Sequence, residues 1–429
     1  MEYQDFEISI ERDGANAWRK RVIHSPAGQG SDPFVPPFAT AKLAEMLDRL
    51  GSELLGAVPG TRDLHSRQAE GSSLAPMEIG KALYRALLSG EVGARYEKSC
   101  GHAESAGEGL RMKLRFDPGS PSMTWVQGLP WELLCDPETE EFLVLDLQRP
   151  LVRYLEVERS AALPAFKPPL RVLIALANPL GSAALDLRRE QAKIEEALNH
   201  SGQIEPVFIE NATVEKLREA IRSQHFHVFH FLGHGTYDES TGQGSLLLET
   251  SGGGCHPVSG EVLALVIKGT SLPHLAVLNA CRTSRGSTSE GLSPFGSVAA
   301  ALVRKGVPAV VAMQFPVSDV AAIAFAGALY SRIAVGEPVD TAVGEGRMAI
   351  LLTVGSTEWA TPSLFLRTPD GRLFDCPYDR SAKPAPSSRA NPGGELPPRI
   401  GTIHANQVNY AERDIHQVNN FPDAEPPER

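Results

Sequence analysis

The chain has 429 residues, a formal net charge of −11 and 42 % apolar residues. That length allows two or three domains around a large core, and the acidic balance argues against nucleic acid or an anionic membrane as the main partner. The five cysteines (Cys100, Cys135, Cys255, Cys281, Cys376) lack framework spacing, Met1 to Asp13 is too polar for a signal peptide, and no apolar run is long enough to span a bilayer; together these predict reduced thiols in a cytoplasmic protein.

Phe6, Ile8 and Ile10 alternate with polar residues, the pattern of a half-buried strand. Ala27 to Pro37, rich in Gly, Ser and Pro, reads as a loop. Thr40 caps an expected helix carrying Leu43, Met46, Leu47 and Leu50 on one face, and a polar loop follows from about Gly56 to Ser73. Pro76 opens a second helix with Ile79, Leu83 and Leu87 on one stripe, closed by Gly90. Leu110, Met112, Leu114 and Phe116 alternate as a further strand; Leu129 to Leu134 reads as a short buried segment, and Phe142 to Leu147 and Leu151 to Leu155 as paired strands. This first third is expected to extend the main sheet.

Pro164 to Pro169 marks a boundary, after which strands and helices alternate, the rhythm of a parallel α/β sheet. Strands are expected at Arg171 to Ala177, Pro206 to Ile209, Phe226 to Leu232, Leu275 to Ala280 and Val307 to Met313, the third and fourth separated by a hairpin around Gly242 to Gly254 and a helix from Ser259 to Lys268. Thr213 is placed to cap the helix before the third strand, and Leu187, Ile194 and Leu198 stripe the one after the first. Helices are expected over Pro294 to Lys305, Ser318 to Val335 and Asp340 to Leu352. Ser381 to Pro398 has linker composition. Beyond it, Asn406-Gln407-Val408-Asn409 is echoed by His416-Gln417-Val418-Asn419. The division expected is an N-terminal α+β part (1–163), an α/β core (164–376), a flexible linker (377–400) and an Asn/Gln-containing tail motif (401–429).

The third strand runs into Gly233-His234-Gly235 and the fourth into Cys281. Sites in open parallel sheets form outside the carboxyl ends of the strands, so an imidazole and a thiol are expected on one rim. A thiol is a useful nucleophile as the thiolate, which an adjacent imidazole generates. The flanking glycines are read as permitting a sharp turn and close approach of a substrate, with the Gly235 and Cys281 amides as donors to an oxyanion. The interval from His234 to Cys281 is close to the roughly 50-residue His-to-Cys spacing of caspases.

Phe229-His230-Phe231-Leu232-Gly233-His234-Gly235 and Val277-Leu278-Asn279-Ala280-Cys281 resemble the paired signature motifs of CHAT-domain proteins, caspase- and separase-like cysteine proteases of the caspase–hemoglobinase fold. Leu129-Pro130-Trp131-Glu132-Leu133-Leu134 is similar to the upstream element of that family, and Gly306 to Asp319 to its strand after the nucleophile; the resemblance covers about Ile79 to Leu366. One departure is Phe315, where the family commonly carries Trp. The resemblance implies a three-layer, mostly parallel α/β fold with an N-terminal α+β extension and a flexible C-terminal tail. It also implies a cysteine endopeptidase with Cys281 as nucleophile and His234 as general acid/base, without metal or organic cofactor and with no third triad residue assigned. By family analogy the substrate is a protein in bacterial antiviral defence or programmed cell death, such as a gasdermin-like pore former. The alternative is a catalytically silent scaffold that recruits partners.

The loops Asn178 to Asp186, Arg282 to Gly291 and Gln314 to Asp319 are expected to line the pocket. Asp186, Glu290, Gln314 and Asp319 are its candidate residues, the three carboxylates favouring a basic side chain before the scissile bond; each carboxylate can equally be a solvated or helix-capping group. His225, His227, His230 and His234, with Cys255 and His256, raise a zinc reading; alternation sets His227 on the face opposite His230 and His234, which argues against it. In the tail, residues 401–421 are either an adaptor-binding motif with stacked Asn/Gln ladders or a disordered end.

Overall fold

The structure is a computed structural model. It describes residues 2–14, 17–38, 46, 50–51, 76–115, 124–155, 164, 166–182, 187–198, 203–238, 241, 243–269, 272–282 and 294–375, with 124, 187–190, 193, 197, 280–282 and 294–295 described as backbone. The expected helix after Thr40 falls almost wholly outside these residues, as do Asp186, Glu290, Cys376, the linker and the tail motif.

The chain begins with the antiparallel strands β1 (Tyr3–Arg12), β2 (Trp18–His24) and β3 (Gly30–Phe34). Phe6, Ile8 and Ile10 are buried, as their alternation predicts. The stretch expected to be a loop from Ala27 to Pro37 contains β3. Its Pro33 is tolerated because β3 is the last strand of the sheet among the described residues, an edge position. Next come α1 (Pro76–Leu87) and α2 (Gly90–Ala106). Gly90, expected only to close α1, also opens α2. Its φ of 67° is left-handed, and a Cβ there would stand 2.6 Å from the Asp32 carboxylate. That carboxylate accepts from the Val92 N–H at 2.8 Å, so the start of α2 is capped by a residue from β3, not by a neighbour in sequence.

Then follow β4 (Gly109–Arg115), the single turn α3 (Thr124–Gln127) and β5 (Leu151–Tyr154). Between the last two, Trp131–Leu133 and Leu143–Leu145 form 3-10 turns. The latter corrects the strand expected at Phe142 to Leu147. Only Phe142 bridges to Cys135, while Leu143 and Val144 are buried; a short apolar run registers burial without distinguishing a strand from a tucked turn.

The remaining elements follow the expected order: β6 (Leu170–Leu176), α4 (Leu187–Leu198), β7 (Ile204–Ile209), α5 (Val214–Ser223), β8 (Val228–Asp238), β9 (Gln243–Glu249), β10 (Cys255–Ser259), α6 (Gly260–Val266), β11 (Leu275–Arg282), α7 (Pro294–Arg304), β12 (Ala309–Met313), α8 (Asp319–Ala334) and α9 (Val339–Val354); a further strand not expected from the sequence, β13 (Pro362–Leu366), comes after them. Thr213 caps α5 by accepting from the Lys216 N–H, and Ser318 caps α8 by accepting from the Ala321 N–H.

One sheet holds all thirteen strands of the described residues, in the order β10-β9-β8-β11-β12-β13-β5-β4-β1-β2-β3, with β6 and β7 beside β8. β7, β6, β8, β11 and β12 are mutually parallel. The antiparallel β13 joins this block to β5, so the N-terminal strands continue the same sheet. Alternate residues feed two cores. Val172, Ile174, Val228, Leu232, Val277 and Val311 pack with α4, α8 and α9. Leu173, Phe229, Phe231, Leu278 and Val310 pack with α5, α6 and α7. The result is a helix–sheet–helix sandwich.

Where β5 meets the central block, Arg153 and Glu132 form a buried pair, with Nε donating to Oε1 at 3.0 Å. Arg153 also donates to the Leu129 carbonyl and to Gln314 Oε1. Gln314 Nε2 donates to the Gly128 carbonyl. The Glu132 of the upstream motif thus fixes the end of β12. Replacing Arg153 with Met takes away the hydrogen-bonded counter-charge of the buried Glu132 and is expected to cost about 3–5 kcal/mol of stability, measured by urea unfolding; Glu132 and Arg153 replaced together are expected to cost much less.

Candidate active site

The two words that end in His234 and Cys281 become neighbouring parallel strands. In the β8–β11 ladder, Leu275 pairs with Val228 and the register runs unbroken to Cys281 opposite His234. Paired strands lie about 4.8 Å apart, so residues remote in sequence are adjacent at the backbone.

His234 occupies a special point of β8. Over Val228 to Leu232 the outer neighbour of β8 is the parallel β6; over His234 to Asp238 it is the antiparallel β9. At Gly233, where one neighbour replaces the other, an added Cβ would stand 2.7 Å from the Ala177 carbonyl oxygen. This revises the expected role of the glycines. β8 continues as strand to Asp238, so neither Gly233 nor Gly235 makes a turn; Gly233 is needed because the end of β6 presses against it.

Asn178, the next residue after that contact, stands level with His234. Its Oδ1 lies 3.3 Å from His234 Nε2. The Asn178 N–H donates to Glu249 Oε1 at 2.9 Å, and Asn211 Nδ2 donates to Glu249 Oε2 at 3.1 Å. Glu249 is 3 % exposed and His234 is fully buried. Sequence reasoning placed Asn178 at the head of a pocket loop and did not single out Glu249. The only signal was the position of Asn178 just past a strand end; the hairpin that returns Glu249 to it is a tertiary feature.

The other histidines separate from this rim. His230 Nδ1 is 2.9 Å from the Tyr330 hydroxyl of α8, and complete burial lowers the pKa of His230 to about 3. His227 Nδ1 accepts the Arg171 N–H at 2.9 Å. His227, His225 and His274 gather with Phe166 and Phe374 at the opening of β8 and β11, the end away from His234. Desolvation lowers His227 and His274 to about 4. Cys255 and His256 are exposed on the edge strand β10. Among the described residues no group of three or more His, Cys, Asp or Glu side chains is arranged to hold a metal ion. Burial raises the thiols of Cys100 and Cys135 to about 11, a poor condition for a nucleophile.

Of the pocket candidates, Gln314 lies at the end of β12 with its amide engaged by Arg153, Gly128 and Ser363. Asp319 is exposed in the first turn of α8. Phe315 is buried in the hydrophobic core, a packing position. The loop between Gln314 and Asp319 is tied down by Glu358, which accepts from the Ser318 N–H at 2.6 Å.

The family profile for the CHAT domain matches residues 77–365 of this chain. The chain belongs to the CHAT domain family. Among curated proteins none matches this CHAT chain significantly. Similar solved structures include the Arg-specific cysteine proteinase gingipain R, 12 % identical over 77 % of this chain and 74 % of that one, with a TM-score of 0.39. Another is the Saccharomyces cerevisiae separase–securin complex, 14 % identical over 75 % of this chain and 22 % of that one, with a TM-score of 0.35. The CHAT chain therefore spans less than a quarter of the length of that separase chain. No helix among the described residues is long and apolar enough to cross a membrane.

Two expectations follow. Gly233→Ala forces the end of β6 away from β8 and is expected to cost about 1–3 kcal/mol, read by chemical denaturation. Stability should also fall as pH drops from 6.5 towards 4, because the unfolded chain takes up protons on His227, His230 and His274 that the fold excludes. Urea unfolding across that range tests this, and His274→Asn should flatten the slope.

Proposed function

We propose that this CHAT domain is a cysteine endopeptidase in which Cys281 is the nucleophile and His234 the general acid/base. The observation that supports it most is the register pairing of these two residues on adjacent strands, inside a CHAT domain whose paired motifs resemble those of caspase- and separase-like cysteine proteases. His234 takes the thiol proton, and the thiolate attacks the scissile carbonyl. The tetrahedral intermediate is held by the Gly235 and Cys281 backbone N–H groups. As it collapses, His234 gives its proton to the departing amine and leaves a thioester on Cys281. His234 then deprotonates a water, whose attack releases the acid product and restores the thiol.

The proposed pocket carboxylates are Asp186, Glu290 and Asp319, which select a basic side chain before the scissile bond; Gln314 supports the pocket floor through its bonds to Gly128 and Arg153. His234 is fully buried, which suits an enzyme that is latent until its site opens. The proposed substrate is a protein partner in a defence or cell-death response, such as a gasdermin-like pore former, and residues 401–421 serve to recruit an upstream adaptor.

Cys281→Ala and His234→Ala are each expected to abolish cleavage with little change in unfolding midpoint. The measurement is a comparison of new protein N-termini in host cells carrying wild-type or Cys281→Ala protein under challenge. Equal sets of new N-termini from the two would refute the peptidase reading and favour the scaffold.

A further inference from the structure

We propose that Asn178 is the positioning residue for His234, and that the buried carboxylate of Glu249 holds Asn178 in place. This rests on the peptidase reading above. An imidazole that shuttles protons must present one chosen nitrogen in the neutral state, and a hydrogen bond at the other nitrogen sets that choice. Here Nε2 faces Asn178 Oδ1 at 3.3 Å. With Nε2–H donating to this oxygen, the lone pair, and therefore the proton exchange with sulfur, belongs to Nδ1. A neutral amide serves this end without the full charge of an aspartate, so the ring is oriented but not permanently protonated. Cys-His-Asn arrangements of this kind recur on unrelated folds.

Asn178 is itself over-determined. Its main chain follows directly on the β6 segment that abuts β8, where the Ala177 N–H donates to the Leu232 carbonyl at 3.0 Å. Its own N–H is bound by Glu249 Oε1. The second oxygen of Glu249 is bound by Asn211, a non-glycine residue with a left-handed φ of 50°. The main chain at Glu249 is clamped too, its N–H donating to the Ala212 carbonyl at 2.9 Å. Glu249 is thus a carboxylate almost out of water, held by neutral donors and forming no ion pair among the described residues. Burying a charge in this way is costly. Glu249 reaches His234 only through Asn178, so its role is to order that amide against the ring.

The test uses full-length protein and two readouts. The first is the rate at which iodoacetamide alkylates Cys281, followed by mass spectrometry of the Cys281 peptide across pH. The second is the tautomer of the His234 ring, read by 15N NMR, with the resonance assigned from His234→Gln. In the wild type the Nε2–H tautomer should dominate at neutral pH. Asn178→Ala should lose that preference and slow alkylation at pH 7 by about 10- to 100-fold, the effect of losing one orienting hydrogen bond. Asn178→Asp keeps an acceptor in place and covers the case in which the alanine variant does not fold. It should keep the Nε2–H bond and extend fast alkylation to lower pH, because its charge favours the thiolate–imidazolium pair. Glu249→Gln should fall between wild type and Asn178→Ala. Wild-type tautomer and pH profile in both Asn178 variants would overturn the proposal. A wild-type Cys281 that alkylates with the pH dependence of an ordinary thiol would overturn the peptidase reading instead, while the NMR result would still decide whether Asn178 sets the ring.

Discussion

The contact on which the site depends is between the last residues of β6 and the glycine at position 233 of β8. β8 is long enough to serve two different outer neighbours, β6 along its first half and β9 along its second. The exchange happens at one residue, and that residue has no side chain, because the Ala177 carbonyl occupies the space a Cβ would need. Everything on the candidate rim follows from this exchange. It ends β6 just short of His234, delivers Asn178 to the imidazole, and frees the far half of β8 to pair with the hairpin that carries Glu249.

The other side of β8 supplies the thiol. A parallel ladder has no register freedom once both faces are buried, since a one-residue slip would turn every core side chain to the wrong face. Phe229 and Phe231 are committed to one core and Val228 and Leu232 to the other, as are Leu278 and Val277 on β11. Position 281 therefore stands opposite position 234 as a consequence of packing further down the strands. His230, which shares the motif with His234, belongs to that packing: it is closed in against Tyr330 and is too weak a base for exchange near neutral pH.

The N-terminal third acts on the same block from the far edge. Glu132 pairs with Arg153, which reaches Gln314 at the end of β12, and Gln314 returns a bond to the Gly128 carbonyl. Arg111 pairs with the buried Asp340 of α9 in the same way. Charged groups this deep are tolerated because each has an immediate partner, and they set the geometry of the joint more than they add stability. The loop leaving β12 is thereby held from two directions, by Gln314 at its start and by Glu358 at Ser318.

The order of elements in the central block was legible from sequence because it is written in short-range signals: apolar runs of strand length, stripes at helical spacing, and capping residues such as Thr213 and Ser318. His234 and Cys281 were legible for the same reason, each at the end of such a run. The edge strand β3, the 3-10 turn at Leu143–Leu145 and the start of α2 were not. Pro33 sits on a strand with no outer neighbour among the described residues, Leu143 is buried without belonging to a strand, and the cap of α2 comes from Asp32, far away in sequence. Asn178 and Glu249 were hidden on the same account. An amide and a carboxylate separated along the chain carry no local mark of being partners, and only the exchange of neighbours along β8 brings them to the same imidazole. Sequence alone determined which residues can do chemistry and on which rim, because that depends on local periodicity; the tertiary structure decided which groups hold them, because that depends on which strands meet.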